Sequence, residues 1–138
     1  MSYKYLEHST DAFIEVRAKN LEEAFSVAGK SVVETIIDSN NIQEIEEKNI
    51  KVKGRNLLNL LYNWLEEIVT ITIADGFAIR NFSVNIKKNK ENQIISNISG
   101  EKLDIKKHNL KVEIKSPTFH LMEIEENDEI TMRYLLDL

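Results

Sequence analysis

From Phe77 onward the chain shows no helical period and reads as one short alternating segment after another: Phe77 to Ile86, Gln93 to Glu101, Leu110 to Lys115, Thr118 to Glu125 and Glu129 to Leu136. Apolar and polar residues in alternation mark strands that bury one face. Five such segments in a row, with no helix between them, disfavour a doubly wound parallel sheet, in which a crossover helix must separate parallel neighbours. Short returns lead instead to antiparallel pairing, and Glu126-Asn127-Asp128 reads as a turn between the last two segments.

The first half carries both periods. Ala12 to Ala18 alternates as a strand, and Asn20 then stands as an N-cap with Glu23 three residues on. Leu21, Ala24, Phe25, Ala28, Val32 and Ile36 follow at helical spacing and form one apolar stripe that ends near Asp38-Ser39-Asn40. Ile45 to Lys53 alternates again. Arg55-Asn56 opens the strongest helix, whose Leu57, Leu58, Leu61, Trp64, Leu65, Ile68 and Val69 describe a wide buried face, and Asp75-Gly76 ends it. The order β-α-β-α-β-β-β-β-β predicts an α+β two-layer sandwich, with two helices packed on one face of a mainly antiparallel sheet. A length of 138 residues, 42% hydrophobic, suits a single domain over 1–138, and 4 Gly with 1 Pro leave no flexible linker.

A formal net charge of −5 argues against a chain whose main task is gripping nucleic acid, since phosphate binding needs a basic face. The charge is unevenly spread, however: Arg80 to Lys115 holds nine Lys and Arg against four Asp and Glu. Segregated charge suits docking to a charged partner; scattered, solvated Lys on strands is the plainer alternative. The chain has no cysteine, which removes thiolate nucleophiles, thiolate metal sites and disulfides. Any metal is then held by oxygen or imidazole, and oxygen favours Ca²⁺, Mg²⁺ or Mn²⁺. No apolar run is long enough to span a bilayer, and the opening MSYKYLEHSTD lacks a signal peptide's apolar stretch, so a soluble cytoplasmic protein is expected.

Four places can carry chemistry. His8-Ser9-Thr10-Asp11 precedes a strand, where an Asp also serves as a turn-former. At the other end, the apolar strand Tyr134-Leu135-Leu136 runs into Asp137-Leu138, which sets the Asp137 carboxylate beside the Leu138 α-carboxylate. Two pinned anions repel each other unless a cation neutralises them. If Asp11 comes close, three hard oxygen groups seed a Ca²⁺ or Mg²⁺ site; spacing along the chain cannot show that convergence. In Gly100 to His108 the plain reading is a hairpin corner with solvated Lys, and His108 is a candidate acid, base or phosphate contact. In Lys115-Ser116-Pro117-Thr118-Phe119-His120, Pro117 is incompatible with a central ladder position unless a bulge intervenes, so Lys115, Thr118 and His120 stand near an irregularity. His120 serves equally well as a structural histidine. No Walker loop, GxGxxG, GxSxG or HExxH is present, and the three histidines lack zinc spacing.

Taken together, these segments resemble the archease family. His8-Ser9-Thr10-Asp11 through Glu15-Val16 is similar to its HTAD…(I/V)-E-V opening, and Asn20-Leu21-Glu22-Glu23-Ala24-Phe25 to its first helix start. Leu57-Leu58 through Trp64-Leu65-Glu66-Glu67-Ile68 resembles its LL…WL helix. Gly100-Glu101 through Lys107-His108, then Val112-Glu113-Ile114-Lys115-Ser116-Pro117-Thr118-Phe119-His120, is similar to GE…D…KH…E-(V/I)-K-A-x-T-Y-H, and Leu136-Asp137-Leu138 to the terminal aliphatic-Asp-aliphatic. The likeness covers essentially the whole chain in order. Ser9 and Ala12 depart from the opening motif, and Pro117 stands at a typically aliphatic position.

The resemblance implies an accessory role, not an enzyme: activation of the GTP-dependent tRNA-splicing RNA ligase by promoting its guanylylation and multiple turnover, with tRNA met indirectly and no membrane involved. It carries the metal ligands onto Asp11, Asp137 and the Leu138 terminus, with Ca²⁺ as the expected ion, and places Lys115 and His120 near the same face. The competing readings are a metal-dependent phosphohydrolase using Asp11, Asp137 and His120, and a general RNA-processing chaperone with Lys87, Lys88, Lys106 and Lys107 as a basic strip.

Overall fold

The computed structural model describes residues 2–6, 11–88 and 90–138. Its elements are β1 (Ser2–Leu6), β2 (Ala12–Ala18), α1 (Leu21–Ile36), β3 (Glu46–Gly54), α2 (Leu57–Val69), β4 (Phe77–Lys88), β5 (Asn92–Lys102), α3 (Ile105–His108), β6 (Ser116–Glu126) and β7 (Ile130–Asp137). All strand pairs are antiparallel. The α+β class, with two main helices against antiparallel strands, is as the pattern predicts, but the strands divide between two sheets, ordered β1-β2-β7-β6 and β3-β5-β4.

Local chemistry explains both helices. The Asn20 side chain accepts the Glu23 amide at 2.9 Å, the cap read from the sequence, and Asn56 accepts that of Asn59 at 2.8 Å where the second helix opens. The second helix runs on through a π-helical turn, Thr70–Ala74, and stops where Gly76 takes φ +64°. On α1, Gly29 lies against the Phe82 ring of β4 while Ser31 is hydrogen-bonded to the buried Tyr134 hydroxyl of β7. Two residues are about 200° round a helix, so α1 meets one sheet on each side. Trp64 Nε1 donates to the Phe25 carbonyl at 2.8 Å and ties the helices together. The apolar side chains of both sheets and both helices form one buried cluster.

Three local readings are corrected. Ser2–Leu6 is an edge strand that the sequence reading left unassigned. Leu110 to Lys115 is not a strand, although Leu110, Val112 and Ile114 alternate: the Lys111 amide donates to Ile36 at the end of α1 (2.7 Å), and Lys115 to Asp137 (2.7 Å), so the segment staples two elements and joins no ladder. Gly100 to His108 is not a hairpin corner: Gly100 to Lys102 close β5, and the single turn of α3, capped by Asp104, follows. No described helix is long and apolar enough to cross a membrane.

The most perturbed carboxylates serve this framework. Glu15, buried on β2, takes Arg133 Nε at 2.8 Å and Arg17 Nε at 3.1 Å, with Lys4 at 3.5 Å. The bond from Arg133 leads in holding its pKa down at about 2. Glu101 accepts the Gln43 amide at 2.8 Å and both Lys107 contacts at 2.9 Å, and it too lies at about 2, with the backbone bond leading. A carboxyl of lower pKa in the folded than in the unfolded state binds fewer protons when folded. Its stabilisation is therefore complete above the ordinary value of 4.5 and lost as pH falls toward 2. Urea titrations across that window are expected to show stability falling with acid, with a shallower slope in Glu15→Gln; an equal slope in that variant contradicts the assignment.

Candidate functional site

Residue Ala12 on β2 pairs with Leu136 on β7. Asp11 comes immediately before the one and Asp137 immediately after the other, so chain continuity sets both carboxylates at the same end of adjacent strands. Neighbouring strands lie roughly 5 Å apart. Asp137 is in turn paired with Ser116 of β6, and its carbonyl accepts the Lys115 amide. Asp11, Asp137, Leu135, Thr118 and His120 line one open depression of about 610 Å³, with Tyr62 of α2 on its side. Asp137 is exposed and Asp11 half-buried.

The wall of this depression is an irregular stretch of β6. Up to Thr118, opposite Leu135, the β6–β7 register is regular, and it resumes at Glu123, opposite Arg133. The four residues 119–122 therefore stand against Tyr134 alone and arch out of the ladder. Pro117 lies two residues before the arch, still paired with Leu136, on the outermost strand of its sheet, where a missing N–H is tolerated. Met122 turns inward and is buried, and Arg133 holds Glu123 at 2.5 Å where pairing returns. On the arch, Phe119 stacks on Tyr62 with ring centroids 4.4 Å apart at 10°. The His120 amide donates to Thr118 Oγ at 3.1 Å, and Leu121 takes φ +62°. That left-handed conformation costs an L-residue roughly 1–2 kcal/mol.

The residues singled out from the sequence separate clearly. Asp11, Asp137 and His120 share the depression. Leu138 packs its side chain partly on the core. Lys115 joins the site through its backbone, its side chain exposed. His108 does not belong to it. The ring is fully buried: Nδ1 accepts the Asp104 amide at 2.9 Å, which leaves Nε2 to donate to Glu101 at 3.0 Å. With both nitrogens engaged and no solvent access, it is a structural residue, and the expectation of a partner or nucleotide contact there is withdrawn. His8, Ser9 and Thr10 lie outside the described residues. Sequence reasoning did not single out Tyr62, Phe119 or Leu121 for the site; the one signal that pointed there was Pro117, which announced an irregularity without its size.

Among the described residues, no group of three His, Asp or Glu side chains is arranged to hold a metal. Two carboxylates nonetheless converge, and their hard oxygens have the donor chemistry of a Ca²⁺, Mg²⁺ or Mn²⁺ site completed by main-chain, terminal, water or partner oxygens.

The chain has relatives among known proteins. Residues 3–138 match the model of the Archease protein family. The chain is similar to the protein archease of Pyrococcus abyssi, 36% identical over 89% of this chain and 87% of that one. It is likewise similar to the protein archease of Methanopyrus kandleri, 31% identical with 100% of each covered. Its fold is similar to the solution structure of Methanobacterium thermoautotrophicum protein 1598, with TM-score 0.81, 28% identity and 99% of each chain covered. It also resembles a Thermotoga maritima crystal structure described as an archease and possible chaperone, with TM-score 0.63, 20% identity and 98% and 96% covered.

Proposed function

Because the chain belongs to the archease family, by a match over residues 3–138, we propose that it activates a GTP-dependent tRNA-splicing RNA ligase, promoting the ligase's guanylylation and multiple turnover. The observation that carries this reading is the placement of Asp11 and Asp137 at the paired ends of β2 and β7, on one open depression. A protein partner reaches such a surface; a substrate would be poorly enclosed by it.

In this reading Asp11 and Asp137, with a main-chain oxygen of Leu138, hold a divalent cation, Ca²⁺ being the expected ion. Bound there, the cation would offset part of the acidic charge of this end and offer remaining coordination positions to phosphate oxygens. The chain's own residues present that acidic end on an ordered sheet. Ser116 and the Lys115 amide fix Asp137 from one side, and the β2 ladder fixes the strand before it from the other. An activator acts by binding one state of its partner better than another, here the state poised to react with GTP.

The test is a ligation time course with RNA in large excess over ligase. The ligase alone is expected to give a stoichiometric burst, and the ligase with this chain a sustained rate; superimposable courses overturn the reading. Asp11, Asp137 and His120 on one depression are also what a metal-dependent phosphohydrolase would use. Phosphate release from GTP by the pure protein favours that alternative.

A further inference from the structure

We propose that the β6 arch is the docking element of this site: Phe119 and Leu121 enter an apolar socket at the mouth of the partner ligase's RNA-holding cleft and seat Asp11 and Asp137 over it. The proposal rests on the ligase reading and names how the surface engages that partner.

The arch is built to hold its side chains outward. Phe119 is 53% exposed and Leu121 47%, and neither belongs to the apolar side chains packed on the core. A leucine at φ +62° on the surface meets an unfavourable backbone conformation with little packing inside its own fold to offset it. The distortion is nevertheless firmly held. Pro117 and Met122 are buried at its two feet, Glu123 is held by Arg133, and Tyr62 backs Phe119. Leu58, 40% exposed, precedes Tyr62 by four residues on α2 and extends the apolar patch along that helix. A rigid surface loses less entropy on binding, so a preformed pair of large apolar side chains suits anchor residues better than solvated ones.

The flanks specify the partner. Asp11 and Asp137 share one depression with Phe119 and Tyr62, which sets two carboxylates at the edge of an apolar pair, the common plan of specific interfaces. The complementary surface is an apolar socket rimmed by cations. A ligase that holds RNA ends must line its cleft with positive charge, and it meets an acidic rim with complementary potential. The arch thus supplies affinity and the carboxylates the activating contact.

Leu121→Gly separates the proposal from simple misfolding, because glycine adopts φ +62° without strain. The variant is expected to melt at or above the parent's temperature. Its affinity for purified ligase, measured by biolayer interferometry, is expected to fall roughly tenfold, as for an interface anchor, and Phe119→Ala likewise. Excess Leu121→Gly is expected to restore full stimulation of ligation, since the activating carboxylates remain. Parental affinity in both variants overturns the docking proposal alone. Failure of the parent chain to bind ligase overturns the functional reading, and the arch's stated partner with it.

Discussion

Asp137→Ala is expected to abolish stimulation of the ligase while leaving the fold intact. The side chain is exposed, and its place in the site is held by its own pairing to Ser116 and by that of the preceding Leu136 to Ala12, neither of which the substitution touches. Surface changes of this kind shift stability by about 0.5 kcal/mol or less. Function should respond very differently. Even groups that merely support a metal's ligands change affinity roughly 10–100-fold when altered, so loss of a ligand is expected to weaken Ca²⁺ binding by roughly 100-fold or more. Calorimetric titration of the isolated protein reads this without interference from metals in the ligase. Asp11→Ala is expected to behave alike, with unchanged circular dichroism, and to lower the maximum of the stimulation curve. Arch variants instead raise the concentration needed to reach that maximum. Full stimulation by both Asp variants would remove the basis for an activating carboxylate pair.

The largest effect on stability is expected at Gly100. This residue lies on β5, the middle strand of its sheet, and pairs with Glu46 on one side and Ile79 on the other, where β4 changes register before Asn81. A Cβ there would stand 1.9 Å from the Ala78 carbonyl oxygen and 2.9 Å from its carbon. Both neighbours are backbone, so no side-chain rotation relieves the overlap, and the central strand or the bulge itself must move. Overpacking that displaces backbone typically costs about 1–3 kcal/mol, and an overlap with two main-chain atoms belongs at the upper end, about 3 kcal/mol, a drop of roughly 10 °C in a domain of this size. Gly76→Ala is the control: its Cβ meets open space, so only the φ of +64° is unfavourable, at about 1 kcal/mol. Thermal melts by circular dichroism should rank Gly100→Ala far below Gly76→Ala; equal melting temperatures would show that the sheet yields at Gly100.

Much of the fold was legible because its signals are local. Asn20 caps the first helix as expected, and the second opens at Asn56 and ends at Gly76, since a side-chain oxygen or an absent Cβ acts within one turn. The alternation of β2, β4, β5 and β7 was legible for the same reason. It misled at Leu110 to Lys115, because alternation reports which side chains face the core and not where the amides bond; there they reach Ile36 and Asp137 instead of a neighbouring strand. His108 was misjudged from its charged neighbours Lys106 and Lys107, for nothing in those residues tells that Glu101 and the Asp104 amide close over the ring.

By itself the sequence determined the α+β class, both main helices and the residues worth watching, readable from side-chain type and short-range spacing, while the family showed only as a resemblance of motifs. Only the tertiary structure decided that the strands form two sheets, that Asp11 meets the end of β7, and that four residues of β6 arch out opposite Tyr134. Those outcomes depend on register between strands far apart in the chain. Register is selected by the whole buried face at once, so no local stretch of residues records it.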